Sequence, residues 1–241
     1  QLERHVLGGR PIKRLFVTHD HPDHMGLAPW LCERHGAAVW MAEYAHRSSG
    51  EFLRTDPQAL AARIQGFLHL HGVEVPPGVA ATRADHREWY GGWPPLAHAP
   101  VDGDVIEAGR GRWRVIETAG HCRGHLCLYD ADRRLLISGD QVLPTISPNV
   151  SVLSSAPDAD PLREFLESIE RLRACVPDTL VLPSHGRPFR RLHARLDDLQ
   201  AHHLQQLEAL RVHCREPQTA FEVLPAMFRR VPRGFHRLLA V

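Results

Sequence analysis

The sequence predicts an α+β fold in which one large domain takes up most of the chain. The 241 residues are 43% hydrophobic, which is enough for a sizeable buried core. Short runs of branched and aromatic residues, typical of strands, are interspersed with longer segments whose apolar residues recur with helical spacing. Glycine, histidine or aspartate follows several of these strand-like runs, so the strands are expected to end in turns.

The N-terminal part predicts two strands with a helix between them. Residues 12–17 (IKRLFV) are apolar and include branched and aromatic types, as in a buried strand. Residues 26–35 (GLAPWLCERH) predict a helix that ends at Gly36, and residues 38–41 predict the next strand. Functional sites of such βαβ-like units lie at the carboxyl ends of the strands. The loop after the first strand is therefore the first candidate for a site.

The remainder of the chain predicts a run of strands with helices before and after it. Residues 42–72 are helical with a break near Asp56-Pro57, and residues 73–104, rich in proline, glycine, tryptophan and histidine, predict a long loop over the site. The later strands cover residues 105–108, 112–118, 126–129, 135–138 and 179–182. The later helices cover residues 161–175, 192–215 and 219–228.

The formal net charge is +1, so the chain as a whole is not drawn to nucleic acid or to anionic membranes. Residues 185–241 contain ten arginines and five acidic residues, which predicts solvated helix faces, with a phosphate-binding surface as the alternative. No apolar run approaches the roughly 20 residues of a membrane span. The five cysteines lack the spacing of a disulfide framework, which favours reduced thiols and a cytoplasmic location.

The loop after the first strand, residues 17–26 (VTHDHPDHMG), concentrates residue types that bind metals. His19 and His21 can point toward one ion, while Asp23 and His24 can point toward a second. The proline between the two pairs stiffens the turn. Because five constrained positions fall in one strand-following loop, we interpret this loop as a metal-binding motif.

Three further residues of these types, His121, Asp140 and His185, follow later strands. Each alone would be an ordinary core, surface or turn residue, but all three lie at strand ends in the same sheet order. Imidazole nitrogen and carboxylate oxygen are the ligands that zinc takes. Seven such groups exceed what one tetrahedral ion can use, and they suit two ions about 3.5–4 Å apart. Asp140 is the natural bridge, because a shared carboxylate lowers the repulsion between two cations.

The motifs THDHPDH, TAGH (118–121), SGD (138–140) and PSHG (183–186) together resemble those of the metallo-β-lactamase superfamily, over residues 12–190. The resemblance implies an αββα sandwich, with two mixed sheets face to face, helices outside, and the site along one sheet edge. It also implies the ligand sets: His19, His21 and His121 for a first metal, Asp23, His24 and His185 for a second, and Asp140 as the bridge.

The resemblance further divides the chain into a catalytic domain, residues 1–190, and a small C-terminal helical appendage, residues 191–241. The appendage resembles the beginning of the winged-helix-like unit found in the branch that includes the β-lactamase-like endoribonucleases. The usual N-terminal strands of the superfamily have no counterpart, and the chain stops within an apolar run at residues 238–241. We therefore expect a fragment that is truncated at both ends.

Departures from other branches narrow the implied function. His21 stands where the flavodiiron oxidoreductases have glutamate, and Asp140 is the bridging residue that true β-lactamases of this superfamily lack. The short interval between Asp140 and His185 leaves no room for the domain that β-CASP enzymes insert. The glyoxalase II-like, lactonase-like and small-nuclease group remains.

The predicted function is that of a metal-dependent hydrolase with two zinc ions per chain, iron or manganese being alternatives. A zinc-bound hydroxide would attack an ester, thioester, lactone or phosphodiester, with Asp23 and Asp140 as catalytic residues. A mononuclear iron persulfide dioxygenase, an endoribonuclease and a non-catalytic metal-binding scaffold are the rival hypotheses. The expected partner is a small-molecule substrate, with RNA as the alternative and no membrane; the oligomeric state is left open.

Residues beside these motifs are predicted to support the site without holding a metal. His125 is expected to contact a ligand residue rather than the metal itself. Residues 141–152 follow the bridging aspartate and should line the rim of the pocket. Asp20 is predicted to be a solvated loop residue, and Cys122 and Cys127 are predicted to be packed thiols. Ser147 and Asn149 are predicted to be substrate contacts or turn caps. Trp89, Tyr90 and Trp93 are predicted to form a lid or to pack on the surface.

Overall fold

The computed structural model describes residues 8–74 and 85–227. Two β-sheets lie at its centre. The first sheet has three parallel strands in the order β1 (Arg14–Phe16), β2 (Ala38–Trp40) and β3 (Leu96–His98). The second sheet has five strands in chain order: β4 (Val105–Ala108), β5 (Gly111–Thr118), β6 (His125–Asp130), β7 (Leu135–Gly139) and β8 (Leu180–Pro183).

The pairing in the second sheet determines which strand ends meet. Strands β4 to β7 are antiparallel neighbours, and β8 lies parallel to β7. Strands β5, β7 and β8 therefore run in the same direction, and their carboxyl ends reach the same edge. The segments that follow these three strands carry His121, Asp140 and His185.

Some helices begin or end at capping residues that the sequence supplies. The side chain of Asp56 accepts hydrogen bonds from the first turn of the helix that follows it, and Asp160 does the same for a later helix. Gly36 ends another helix in the left-handed conformation, with φ of 65°. In chain order the α-helices are α1 (Pro22–Met25), α2 (Ala28–His35), α3 (Glu43–Arg54), α4 (Pro57–Leu70), α5 (Pro161–Leu172), α6 (Leu192–His213) and α7 (Ala220–Met227).

The second sheet is buried on both faces. Val115 and Leu126 pack against Val39 of the first sheet, in a core between the two sheets. Their sequence neighbours Ile116 and Cys127 point the other way, into a second core. Helices α5 and α6 cover that opposite face with the buried residues Phe165, Ile169, Leu172, Leu192, Leu196 and Leu199. The alternation of inward and outward residues along β5 and β6 confirms the predicted α+β sandwich.

Most predicted strands and helices agree with the structure apart from a few residues at their ends. The prediction of a continuous loop over residues 73–104 is wrong, because this region contains the 3₁₀-helix Asp85–Trp89 and strand β3. Strand β3 has only three residues and is flanked by prolines, so it shows no alternation that the sequence could reveal. The C-terminal end of the helix predicted over 219–228 and both chain ends lie outside the described residues.

The division into domains at residue 190 stays a prediction. Helix α6 follows that point, and its first half buries Leu192, Leu196 and Leu199 in the same core as α5. Within residues 8–74 and 85–227, none of the helices combines the length and the apolar character that crossing a membrane requires.

Candidate metal centre

Seven histidine and aspartate side chains converge where strand ends of the two sheets meet. Four of them lie in the segment after β1, and the other three follow β5, β7 and β8. Their nitrogen and oxygen atoms form two groups, and within each group all of these atoms lie within 4.8 Å of one another. The first group comprises His19, His21, His121 and Asp140, and the second comprises Asp23, His24 and His185. The structure thus brings together every residue that the sequence predicted as a ligand.

The first group has the spacing of a tetrahedral metal site. Nδ1 of His21 lies 3.2 Å from Nε2 of His19 and 3.1 Å from Nε2 of His121. Ligand atoms bonded at about 2.0–2.1 Å to a tetrahedral zinc ion are about 3.3 Å apart. The three imidazoles therefore already stand close to the positions that one ion would impose on them.

The second group is more open and shares its inner side with Asp140. Oδ2 of Asp23 lies 3.1 Å from Nε2 of His185 and 3.4 Å from Nε2 of His24. Oδ2 of Asp140 is 3.5 Å from each of these two nitrogens. The same oxygen is 3.8 Å from Nε2 of His19 and 3.6 Å from Nε2 of His121. One carboxylate oxygen thus stands between the two groups.

The chemistry of these side chains fits a metal. Nε2 of His24 and Oδ1 of Asp140 are buried, and neither has a hydrogen-bond partner among the described residues. An unsatisfied buried polar atom costs about 1–3 kcal/mol, so each such atom needs an explanation. Coordination to a cation supplies one for both atoms, because imidazole nitrogen and carboxylate oxygen are ordinary ligands of zinc.

The protonation states also suit coordination. Burial, together with the neighbouring His21, lowers the pKa of His121 to about 4, and burial likewise places the pKa of His19 far below its usual value. Burial acts against ionisation of Asp140, but the nearby His24, whose Nε2 lies 3.5 Å from Oδ2 of Asp140, outweighs it and lowers the pKa of this carboxyl group. Neutral imidazoles and an ionised carboxylate are the forms that bind metals at neutral pH.

Hydrogen bonds on the far side of the rings determine which nitrogen faces the site. Nδ1 of His121 lies 2.8 Å from the main-chain carbonyl of Asn149, which can only accept, so Nδ1 carries the proton. Nδ1 of His19 lies 3.0 Å from the hydroxyl of Thr18. In both residues Nε2 is left to face the first group. Partners of this kind orient a ligand and fix its tautomer.

His125 acts on Asp140 and belongs to neither ligand group. Its Nε2 accepts a hydrogen bond from the backbone N–H of Asp140 at 3.2 Å, so its proton is on Nδ1, which donates to Thr118 at 2.9 Å. Burial, together with the nearby His121, lowers the pKa of His125 to about 3. A side chain at Gly139, whose φ is +51°, would collide with His125. The structure agrees with the interpretation that His125 supports the site.

The prediction that Asp20 is a solvated loop residue is wrong. Its carboxylate accepts a hydrogen bond from the hydroxyl of Ser49 in α3, and its main-chain carbonyl accepts one from the hydroxyl of Tyr90 at 2.8 Å. Asp20, which lies between His19 and His21, therefore ties the segment after β1 to α3 and to Tyr90. The sequence gives no local sign of this, because both partners are distant in the chain.

The aromatic segment, residues 89–93 with Trp89, Tyr90 and Trp93, packs beside the segment that follows β1. The ring of Trp93 lies 5.8 Å from that of Tyr90 and 5.1 Å from that of His46 in α3. Nε2 of His46 in turn lies 2.8 Å from the carbonyl of Pro94. Trp89 extends into solvent and is 62% exposed. The two predictions for this segment are a lid and surface packing. The described contacts fix its position against α3.

The remaining predicted positions also have defined contacts. The hydroxyl of Ser147 lies 3.0 Å from Nε2 of His203 in α6, and Asn149 contacts His121 through its main chain. Cys127 is fully buried and Cys122 is half-buried. Neither cysteine is a member of the two groups formed by the described residues.

Comparisons with known proteins match a family model and a solved structure. The family model described as "Metallo-beta-lactamase superfamily" matches residues 1–185. The crystal structure of a beta-lactamase domain protein from Burkholderia ambifaria has 36% sequence identity and a TM-score of 0.84, and the similarity covers 99% of this chain and 68% of that chain.

Two curated relatives have named activities. The linear primary-alkylsulfatase of Pseudomonas sp. (strain ATCC 19151) is 29% identical over 196 residues, which are 76% of this chain and 35% of the relative. The acyl-coenzyme A thioesterase MBLAC2 of Homo sapiens is 36% identical over 91 residues, 36% of this chain and 30% of the relative. This chain thus spans about a third of each. Both names describe hydrolytic enzymes, in agreement with the prediction of an enzyme.

Proposed function

This chain belongs to the metallo-beta-lactamase superfamily, and from that premise we propose that it is a metal-dependent hydrolase with a binuclear zinc centre. The observation that carries the proposal is the position of Asp140. Its Oδ2 atom lies 3.5–3.8 Å from four histidine nitrogens, two in each ligand group. A carboxylate there lowers the repulsion between two cations. Iron and manganese are the alternative metals, because imidazole and carboxylate suit them as well.

The proposed roles follow from where each side chain stands. His19, His21 and His121 would hold the first ion, Asp23, His24 and His185 the second, and Asp140 would contact both. Bound metals would lower the pKa of a water molecule and polarise an oxygen of the scissile group. The side chains of Asp23 and His185 are 57% and 51% exposed, so substrate would approach from their side. Asp23 is therefore the carboxylate that would face the leaving group.

We propose an ester or thioester with an apolar chain as the substrate, with lactones and phosphodiesters as further candidates. Two features support this choice. The names of the two curated relatives include an alkyl sulfate and an acyl thioester as substrates. Exposed apolar side chains also flank the ligand segments: Leu27 is 70% exposed just after α1, and Ile146 is 60% exposed in the segment after Asp140.

The cytoplasm is the proposed location, because the five cysteines are all free. An endoribonuclease remains the second candidate function, supported by the arginine surplus of residues 185–241. Cleavage of single-stranded RNA that is lost at high salt would favour it.

The first test is the metal content of the purified chain by elemental analysis, followed by a panel of substrates. We expect two zinc ions per protein chain. We also expect turnover of acyl thioesters or alkyl esters, at a rate that increases with the length of the substrate's acyl or alkyl group. A single iron per chain, with oxygen uptake in the presence of glutathione persulfide, would instead support a persulfide dioxygenase. A chain that contains no metal after growth with zinc would contradict both.

A further inference from the structure

We propose that Arg195 is a positioning residue of the metal centre. From helix α6 it holds residues 143–149 in place, and through the main-chain carbonyl of Asn149 it fixes the ring of His121. The proposal rests on the proposed role of His121 as a metal ligand. It concerns a residue that lies after the last ligand in the chain and contacts neither ligand group directly.

The segment that Arg195 contacts has little structure of its own. Between Asp140 and the start of α5 the described residues form neither a helix nor a strand, only an isolated bridge between Leu153 and Ala156. Arg195 donates from Nε to the carbonyl of Leu143 at 2.7 Å and from Nη2 to the carbonyl of Ile146 at 2.8 Å. Hydrogen bonds from a charged guanidinium are short and strong, and two of them from one planar group also fix direction.

A second contact from the same helix supports the first. His203 lies about two turns further along α6, and its Nε2 is 3.0 Å from the hydroxyl of Ser147. Two residues beyond Ser147, the carbonyl of Asn149 lies 2.8 Å from Nδ1 of His121. Helix α6 therefore holds the segment at three places, Leu143, Ile146 and Ser147, before the carbonyl of Asn149 that orients the ring of His121.

The helix is a firm support for these contacts. Leu192, Leu196 and Leu199 are at most 1% exposed and pack in the core that α5 and the second sheet share. Arg195 directly precedes the fully buried Leu196, so its backbone cannot shift without disturbing that core. The guanidinium is thus tied to the sheet that carries His121, Asp140 and His185.

Other residues hold the backbone of the His121 turn, which leaves a distinct task for Asn149. The N–H of Ala119 donates to Ser168 in α5 at 2.8 Å, and the carbonyl of Ala119 accepts from Gln141 at 3.1 Å. These bonds locate the main chain. The bond to Asn149 sets the rotation and the tautomer of the His121 ring, so a change at Arg195 should affect the ring more than the fold.

The test compares Arg195→Gln with Arg211→Gln in the full chain. Arg211 lies on the same helix and donates twice to the exposed Glu208, so the control loses an equivalent side chain away from the site. In the metal-free wild-type protein, long-range proton–nitrogen NMR should report the Nδ1–H tautomer for His121. We expect a mixture of tautomers in Arg195→Gln and the wild-type tautomer in Arg211→Gln.

Zinc titration provides a second readout. Disturbed partners of ligand histidines weaken metal binding by about 10–100-fold, so we expect a loss of this size for one of the two ions in Arg195→Gln and none in the control. In the loaded enzyme kcat should fall more than KM rises. The zinc affinity of Arg195→Lys should lie between those of Arg195→Gln and Arg211→Gln. The single ammonium group of lysine cannot donate to both carbonyls in the way that the guanidinium does.

If Arg195→Gln does not fold, Ser147→Ala removes one hydroxyl and tests the same segment, with a smaller change in the same direction expected. A folded Arg195→Gln or Ser147→Ala protein with the wild-type His121 tautomer and unchanged zinc affinity would overturn the proposal. The tautomer of His121 can be compared even if the chain hydrolyses none of the substrates. Failure of this inference can therefore be distinguished from failure of the proposed function.

Discussion

At Asp140 a single carboxylate oxygen faces four imidazole nitrogens, while the backbone N–H of the same residue donates to His125. The side chain is thereby placed between two ligand groups that come from different parts of the chain. A change at this position should therefore affect both groups together.

Asp140→Asn keeps the size of the side chain and removes its charge. We expect the zinc content of the chain to fall from two ions to one or fewer, and kcat to fall by more than the roughly 100-fold that loss of an outer hydrogen-bond partner causes. Elemental analysis and steady-state kinetics check this. Asp132→Asn, in the exposed turn after β6, is the control. Two ions and a wild-type rate in Asp140→Asn would rule out the binuclear mechanism.

The cysteines should differ sharply in reactivity. Burial raises the pKa of Cys127 to about 12 and that of Cys175 to about 11, so at about pH 8 only about one molecule in a thousand or fewer carries either thiolate. Cys214 is exposed. We expect iodoacetamide to label Cys214 within minutes and to leave Cys127 and Cys175 unmodified until the protein is unfolded, as peptide mass mapping would show. Equal labelling of Cys127 and Cys214 in the folded protein would contradict the described core.

The turn after β5 is tightly constrained by packing against α5. Gly120 has φ of +99°, and a Cβ there would lie 2.5 Å from the backbone nitrogen of Phe165 in α5. The turn that carries His121 can therefore approach α5 only if residue 120 is glycine. Gly66 gives a contrast, because it is an exposed glycine within α4 and a Cβ there would meet nothing within 4 Å.

Gly120→Ala should lower the free energy of unfolding by about 3 kcal/mol or more, because both the conformation and the space exclude a side chain. Gly66→Ala should raise it by about 0.5–1 kcal/mol, since alanine is the better helix former. Urea denaturation followed by circular dichroism measures both. Similar effects of the two substitutions would show that α5 does not pack against the turn as described.

How far an element could be predicted from the sequence depends on whether its signal is local. Strand β7 and the Gly139-Asp140 pair at its end could be found because apolar residues, glycine and aspartate are adjacent in the chain. Strand β3 could not, because three residues form a strand there only by pairing with β2. The candidate ligands could be predicted from their residue types. The carbonyl of Asn149 could not, because every residue has a carbonyl and only the fold selects one.

Viewed as a whole molecule, the candidate centre joins the two sheets. His19, His21, Asp23 and His24 follow β1 of the three-stranded sheet. The other candidate ligands, His121, Asp140 and His185, follow strands of the five-stranded sheet. An ion bound by residues from both sheets would stabilise their contact, because it binds the folded chain and not the unfolded one.

Chelation should therefore lower the melting temperature. An ion present at about 100 times its dissociation constant adds about 2.7 kcal/mol to the free energy of unfolding, which for a chain of this size corresponds to about 5–10 °C. Differential scanning fluorimetry with and without EDTA measures the shift, and added zinc should restore it. A melting temperature that does not respond to EDTA, in a protein shown to lose its metal, would mean that the ligands bind too weakly to support the fold.

The two ends of the centre also differ in their access to solvent. The side chains of His19 and His121 are 0% and 5% exposed, whereas those of Asp23 and His185 are more than half exposed. Incoming chelators displace ligands from the open side, so the ion beside Asp23 should leave first and the ion beside His19 much more slowly. Release into a colour-forming chelator should then show two phases of equal amplitude. With the proposed two-ion centre, a cell short of zinc would contain half-loaded chains, and any activity that needs both ions would be lost before the second ion leaves.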